Sequence, residues 1–334
     1  MALNHIWFLI VGFLFIGYFV LDGFDFGVGM SLPFLGKDDT DRRVLINTIG
    51  PVWDLNETWV IVAGASLFAS FPEWYASLFS GFYLALLLIL AALIARGVAF
   101  EYRGKVDTAR WRKTFDWMIV VGSALPSLLW GVAFANIVAG VPLNAQHVYT
   151  GTLFTLLNPY GLLGGLTTLS VFFLHGLVFI TLKTDGEIKD RARALAKKVG
   201  YAATLIAASF LLWTLFAHFS LLGAVLTVVA ALALVGAQLA NFARRDGQAF
   251  ALMVVTIVGA VGALFAALYP NVLPSSTDSA YSLTIDNASS SQYTLSVMTW
   301  VAAIMIPFVL AYQSWTYWVF RKRVSRKSIP AGSH

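Results

Sequence analysis

The stretch HIWFLIVGFLFIGYFVLDGFDFGVGMSLPFL, His5 to Leu35, decides the fold class. It exceeds the ~20 apolar residues that carry an α-helix across a bilayer. Two aspartates, Asp22 and Asp25, and several glycines interrupt its second half. An ionised carboxylate facing lipid is costly, so these acids must turn toward protein or water. The rest of the chain is similarly apolar: 59% of its 334 residues are hydrophobic and 12% charged, with a mean hydropathy of +0.77. A soluble domain carries about 25% charged residues. This chain lacks the polar groups to cover a globular surface, and its apolar runs are too long for alternating barrel strands. The expected fold class is an all-α integral membrane protein.

Hydropathy predicts about nine spans, near His5–Leu35, Leu45–Ser70, Glu73–Phe100, Thr114–Gly140, Asn158–Lys183, Val199–Phe219, Leu221–Phe242, Gln248–Tyr269 and Gln292–Phe320. Only HFS, His218 to Ser220, separates the sixth from the seventh. The expected organisation is one polytopic membrane domain over 1–334, with two four-helix bundles plus one additional helix. Candidate halves lie near 1–140 and 141–320, and a basic tail at 321–334. The start, MALNHIWFLIVGF, has neither a basic segment nor an A-x-A cleavage pattern and reads as a retained span.

The basic residues test the span count. Lys37, Arg42 and Arg43 follow span one; Arg96 lies near the end of span three; Arg103, Lys105, Arg110, Arg112 and Lys113 follow it. Six more run from Lys183 to Lys198, then come Arg244 and Arg245, then five from Arg321 to Lys327. All 22 Lys and Arg thus fall on or near one side of a nine-span chain. The positive-inside rule makes that side cytoplasmic, with the N-terminus outside and the C-terminus inside. The pI of about 9.4 therefore reflects topology and contact with anionic membrane lipid, not nucleic-acid binding. The longest outer loop, 270–291, is rich in Ser, Asn and Thr and reads as an irregular lid.

Ionisable groups inside spans are candidate functional residues. Asp22 and Asp25, three apart, share a helix face. Asp54 and Glu57, in GPVWDLNETW, repeat that spacing one to two turns inside span two. Arg96 lies late in span three and should neutralise one of the acids; Glu101 ends that span and Asp116 starts span four. These groups run from the basic face to mid-depth, while the outer half carries almost no charge apart from Glu73. That asymmetry suits a blind proton inlet better than a through-channel. Each acid also has a plainer reading, as a structural pair or, for Asp116, as a partner of a helix N-terminus. Gly23, Gly27 and Gly29 suggest that span one packs closely in the bundle centre. Pro51 suits the start of a helix, and Pro126 should kink span four.

There is no cysteine, so thiolate metal sites, disulfides and iron–sulfur clusters are excluded. His5, His147 and His218 lie at the outer edge and His334 at the terminus; only His175 is well inside a span. Bis-histidine haem ligation needs a mate at matching depth, and none is evident. His175 reads as a hydrogen-bonded core residue. Tryptophans favour interface belts, the expected role of Trp74, while Trp59 suits a cavity wall.

The segments LDGFDFGVGM (21–30), DRRVLINTIGPVWDLNETWVIVAGASLFASFPEWYA (41–76), SGFY (80–83), FEYR (100–103), TLLNPYGLL (155–163) and PSSTDSAYSLTIDNASSSQYTLSVMTW (274–300) resemble subunit II of the cytochrome bd quinol oxidases. The match follows chain order from the first span to the ninth; residues 201–268 match only in character. The resemblance implies a haem-free subunit of a bacterial plasma-membrane respiratory enzyme that oxidises quinol and reduces oxygen to water. Its partner would be a haem-bearing subunit I carrying haem b and haem d. Small accessory subunits and a structural quinone are left open. The chain itself would bind no haem or metal, would stabilise subunit I, and would contribute to cytoplasmic proton uptake and oxygen access. The family's proton-transfer positions map onto Asp54, Asp25, Arg96 and Asp116, and its suggested oxygen entry onto Trp59. Glu101 stands where some relatives carry aspartate, which changes reach but keeps a carboxylate. Asp22 and Glu57 are further proton-transfer candidates from the residues themselves. The outer connection between spans six and seven is shorter than in some relatives. A cation-coupled secondary transporter is the alternative that buried acids and a mid-depth arginine also suit, and a purely structural subunit is a third.

Overall fold

The structure, a computed structural model, describes residues 3–329; the end of the expected tail, with His334, lies outside the described residues. Twelve α-helices form the described chain: α1 (Leu3–Leu35), α2 (Asp39–Ile49), α3 (Trp53–Ser70), α4 (Pro72–Gly81), α5 (Tyr83–Tyr102), α6 (Ala109–Ala139), α7 (Leu153–Leu156), α8 (Pro159–Lys183), α9 (Gly186–Ala217), α10 (Leu221–Phe242), α11 (Asp246–Leu268) and α12 (Gln292–Val319). Eight of them, α1, α5, α6 and α8 to α12 without exception, are long and apolar enough to cross a membrane. The all-α membrane class is as expected.

The expected second and third spans are each divided. Pro51 cannot donate a helical hydrogen bond, and the chain turns at Gly50–Val52 between α2 and α3. Pro51 therefore sits in the turn that separates two helices, not in the first turn of one. The membrane-length part, α3, holds 18 residues with Asp54, Asn56 and Glu57 near its start. Those polar groups leave it less apolar than the eight. Phe82 breaks the third span between α4 and α5, where Tyr149 packs into the space a Gly81 side chain would need. The basic segment before span six is not a loop: α9 begins at Gly186 and carries it as helix. The connection from α9 to α10 is His218–Ser220, as short as expected. α6 runs unbroken through Pro126.

α1 lies at the centre, against α3, α6, α8 and α11. Its glycines set how near the neighbours come. A Cβ on Gly27 would lie 2.1 Å from the Phe172 carbonyl and 2.7 Å from Gly176 of α8, so the two backbones touch there. Small residues allow such approaches, and close packing replaces the hydrophobic drive that lipid cannot supply. Large apolar side chains exposed on α12, such as Trp300, Ile304, Phe308 and Trp315, are ordinary for a surface facing lipid or another membrane chain.

The outer loop is more regular than expected. β1 (Asn271–Leu273) pairs antiparallel with β2 (Leu283–Thr284). Asn4 donates to Asp286 at 2.8 Å, and Ser290 donates to the Ser70 carbonyl, so the loop ties the ends of α1 and α3. On the opposite face the tail folds back as a strap. The Val324 amide donates to the Lys183 carbonyl at 2.8 Å, and the Lys183 ammonium donates to the carbonyls of Phe320 and Lys322. Arg326 reaches Asp41 at 2.6 Å and Asp38 at 2.7 Å, while Arg191 also holds Asp41 at 2.6 Å. Arg323, Arg193 and Lys189 converge on Asp246.

The Asp41 backbone N–H and the Arg326 guanidinium hold the Asp38 carboxyl below the usual aspartate value. A depressed folded value contributes stability above the unfolded pKa, ~3.9, and loses it as pH falls below that. Amide exchange in the strap, corrected for intrinsic rates, should therefore stay level between about pH 8 and pH 5. Asp41→Asn removes the carboxylate that Arg191 and Arg326 share, at a cost of about 2 kcal/mol. Trypsin should cut within 321–327 faster in that variant; equal cleavage rates would show that other contacts hold the strap.

Candidate functional site

Side chains of α3 and α5 converge on the acids of α1. Asp22 and Asp25 are fully buried. Arg96 of α5, also fully buried, donates through Nη2 to Asp22 Oδ1 at 2.7 Å and to Glu57 Oε2 of α3 at 3.1 Å. One guanidinium thus serves two acids, where the sequence suggested one. Its Cζ lies 4.3 Å from the centroid of the Phe26 ring, a cation–π contact. Asp25 takes a neutral partner: Asn56 Nδ2 donates to its Oδ2 at 2.7 Å. The cluster therefore sets three carboxyl groups against one guanidinium. Asp22 Oδ2, Asp25 Oδ1 and Arg96 Nη1 have no protein partner among the described residues. Polar positions of that kind can pass a proton through a bridging water.

A second set of bonds joins the cluster to α12. Asn56 Oδ1 accepts from the Tyr317 hydroxyl at 2.7 Å and from Gln313 Nε2 at 3.3 Å. Gln313 Oε1 accepts from the Trp59 indole at 2.7 Å. Trp59 also lines an apolar groove of about 550 Å³ between α1, α3 and α12, with Phe13, Leu14, Met298 and Met305. A groove of that character admits a small apolar molecule.

The other candidates stand apart. Asp54 is exposed on the first turn of α3, one turn before Glu57, and Glu101 is exposed at the end of α5. Asp116, a proton-transfer candidate whose plainer reading was a helix-terminus partner, accepts from Arg103 Nε at 2.6 Å and from Arg42 Nη1 at 3.3 Å. Arg103 also pairs with Asp39 at 2.7 Å. Trp74, expected in an interface belt, is buried against Phe71. His175 is buried, bonds the Val20 carbonyl through Nε2 at 3.0 Å and stacks on Phe250. Asn56, Gln313 and Tyr317 were missed in the sequence. Gln313 did carry a signal, as an amide within an apolar span, where polar groups need partners.

The ion pairs predict a steep cost for losing the cation. Arg96→Gln leaves Asp22 and Glu57 without their charge partner and should destabilise the fold by about 3–5 kcal/mol. Thermal unfolding in detergent reads this. Adding Asp22→Asn should recover part of the loss, as expected for directly coupled groups. Additive losses would mean that the pair is not coupled.

A family model described as cytochrome bd terminal oxidase subunit II matches residues 3–320. The chain is 42% identical over 331 residues to the cytochrome bd ubiquinol oxidase subunit 2 of Bacillus subtilis (strain 168), covering 98% of each. It is 39% identical over 373 aligned residues to the cytochrome bd-I ubiquinol oxidase subunit 2 of Escherichia coli (strain K12), covering 100% of this chain and 98% of that relative. A chain in the structure of bd oxidase from Geobacillus thermodenitrificans matches with a TM-score of 0.77, over 96% of this chain and 99% of that one. At 18% identity that likeness speaks for the fold. Together with the eight span-like helices, these relatives make this a multi-pass protein of a bacterial membrane. The chain belongs to the cytochrome bd terminal oxidase subunit II family.

Proposed function

We propose that this chain is the haem-free subunit of a complex that oxidises quinol and reduces oxygen to water, bound to a haem-bearing subunit I. Within that complex it takes up protons from the cytoplasm, gives oxygen access, and stabilises its partner. The buried cluster of Asp22, Asp25, Glu57 and Arg96 carries this reading. Reducing oxygen to water consumes one proton per electron, so a site inside the membrane needs a protonatable route from one face. Asp54 at the exposed start of α3 and Glu57 one turn deeper make the cytoplasmic mouth of such a route. Asp22 and Asp25 make its inner end. The basic residues on that side support its being cytoplasmic.

The haems would be held by subunit I and supply the electron transfer to oxygen. Axial ligation by His175, the histidine inside a span, does not fit its surroundings. His175 is wedged beside Phe24 and Phe250 with Nε2 committed to a carbonyl. Trp59 and its apolar groove support the oxygen-access role. The least buried of the eight long helices, α12, supports contact with subunit I. Family membership leaves the cation-coupled transporter without support.

Purified through this chain with its partner co-expressed, the complex should contain a second large membrane subunit with b-type and chlorin haem bands. Asp54→Asn and Asp25→Asn should slow quinol oxidase turnover at least about tenfold, in line with loss of a proton-transfer group, while haem content stays at the wild-type level. Wild-type turnover in fully assembled variants would refute the relay.

A further inference from the structure

Trp59, Gln313 and Asn56 form a chain whose direction is fixed at both ends, by an indole and by the Leu21 carbonyl. An indole N–H can only donate. At 2.7 Å, Trp59 Nε1 must therefore face the oxygen of the Gln313 amide. That turns Gln313 Nε2 toward Asn56, 3.3 Å away, so the Asn56 atom it meets must be Oδ1. The Tyr317 hydroxyl donates to the same oxygen at 2.7 Å. Asn56 Nδ2 is then left to point the other way, with one hydrogen to Asp25 Oδ2 at 2.7 Å and one to the Leu21 carbonyl at 3.3 Å. Both lone pairs and both hydrogens of this fully buried amide are used. Helical spacing makes the arrangement compact: Asn56 and Trp59 are three apart on α3, and Gln313 and Tyr317 four apart on α12.

We propose that Trp59, Gln313 and Asn56 are a positioning device for Asp25. The indole at one end and the Leu21 carbonyl, which can only accept, at the other impose the same direction on two amides in succession, and Asp25 is thereby presented with an amide N–H. Without the indole Gln313 could rotate by half a turn and set its oxygen against Asn56 Oδ1, which weakens the hold that keeps the Asn56 N–H groups toward Asp25 and the Leu21 carbonyl. Trp59 thus acts on proton delivery as well as lining the apolar groove. The inference deepens the relay reading of Asp25 and rests on it.

Trp59→Phe separates the two roles, because it keeps an aromatic wall and loses the N–H. Gln313→Met removes the middle link at similar volume. Both are made in the complete complex and compared with wild type and Asp25→Asn. The Asp25 carboxyl band is the difference between the infrared spectra of resting wild type and Asp25→Asn. In both variants that band should move and the pH profile of quinol oxidase turnover should shift. Turnover at a fixed pH should fall about fivefold, the rate equivalent of one hydrogen bond, and the KM for oxygen should not change. An unmoved band with a wild-type pH profile overturns the proposal, whatever the turnover. So does failure of both variants to assemble, which would make the chain a clamp between α3 and α12; if only one fails, the other decides. Wild-type turnover in Asp25→Asn would sink the relay reading alone, since the band still reports whether Trp59 orients Asp25.

Discussion

The buried guanidinium of Arg96 is the constraint around which the centre of this protein is arranged. Taking a charge out of water costs several kcal/mol even after relaxation, and in a membrane interior that cost is met only by charges of opposite sign close by. Arg96 finds them on two other helices, Asp22 on α1 and Glu57 on α3. Three helices are thereby held in one register. The same bonds hold Asp22 and Glu57 inside the bundle, beside Asp25.

Close packing makes that arrangement possible. α1 carries both aspartates and must be surrounded by protein if they are to avoid lipid. Gly27 lets α8 approach to backbone contact, and α6 and α3 cover the flanking faces. The ends of the bundle are fastened differently. On the outer side a small hairpin ties α1 and α3 through neutral hydrogen bonds. On the basic side three aspartate centres, Asp41, Asp116 and Asp246, each gather two or more cations. The cations gathered on that face thus also cross-link its helix ends.

Much of this was legible in the residues. The apolar runs, the clustering of Lys and Arg on one side and the His218–Ser220 turn are local properties, and they carried over into the helices. The motifs LDGFDFGVGM and GPVWDLNETW carried the family. The breaks at Gly50–Val52 and Phe82 were not anticipated, because hydropathy averages over a window and passes across a single turn. The plainer reading of Asp116, a helix-terminus group, came from its neighbours in sequence, but Arg103 and Arg42 reach it from other elements.

The sequence by itself determined that the chain is a helical membrane protein, which residues of its spans are ionisable, and on which side its cations lie. Those properties are sums over neighbouring residues, and hydropathy and charge do not depend on how the helices turn. Only the tertiary structure decided which acid meets which partner. Asn56 and Gln313 are 257 residues apart, and Arg96 and Asp22 are 74 apart. The rotation of α1 about its own axis is set by its packing against α3, α6, α8 and α11, and a rotation of one residue's step, ~100°, would have turned Asp25 away from Asn56.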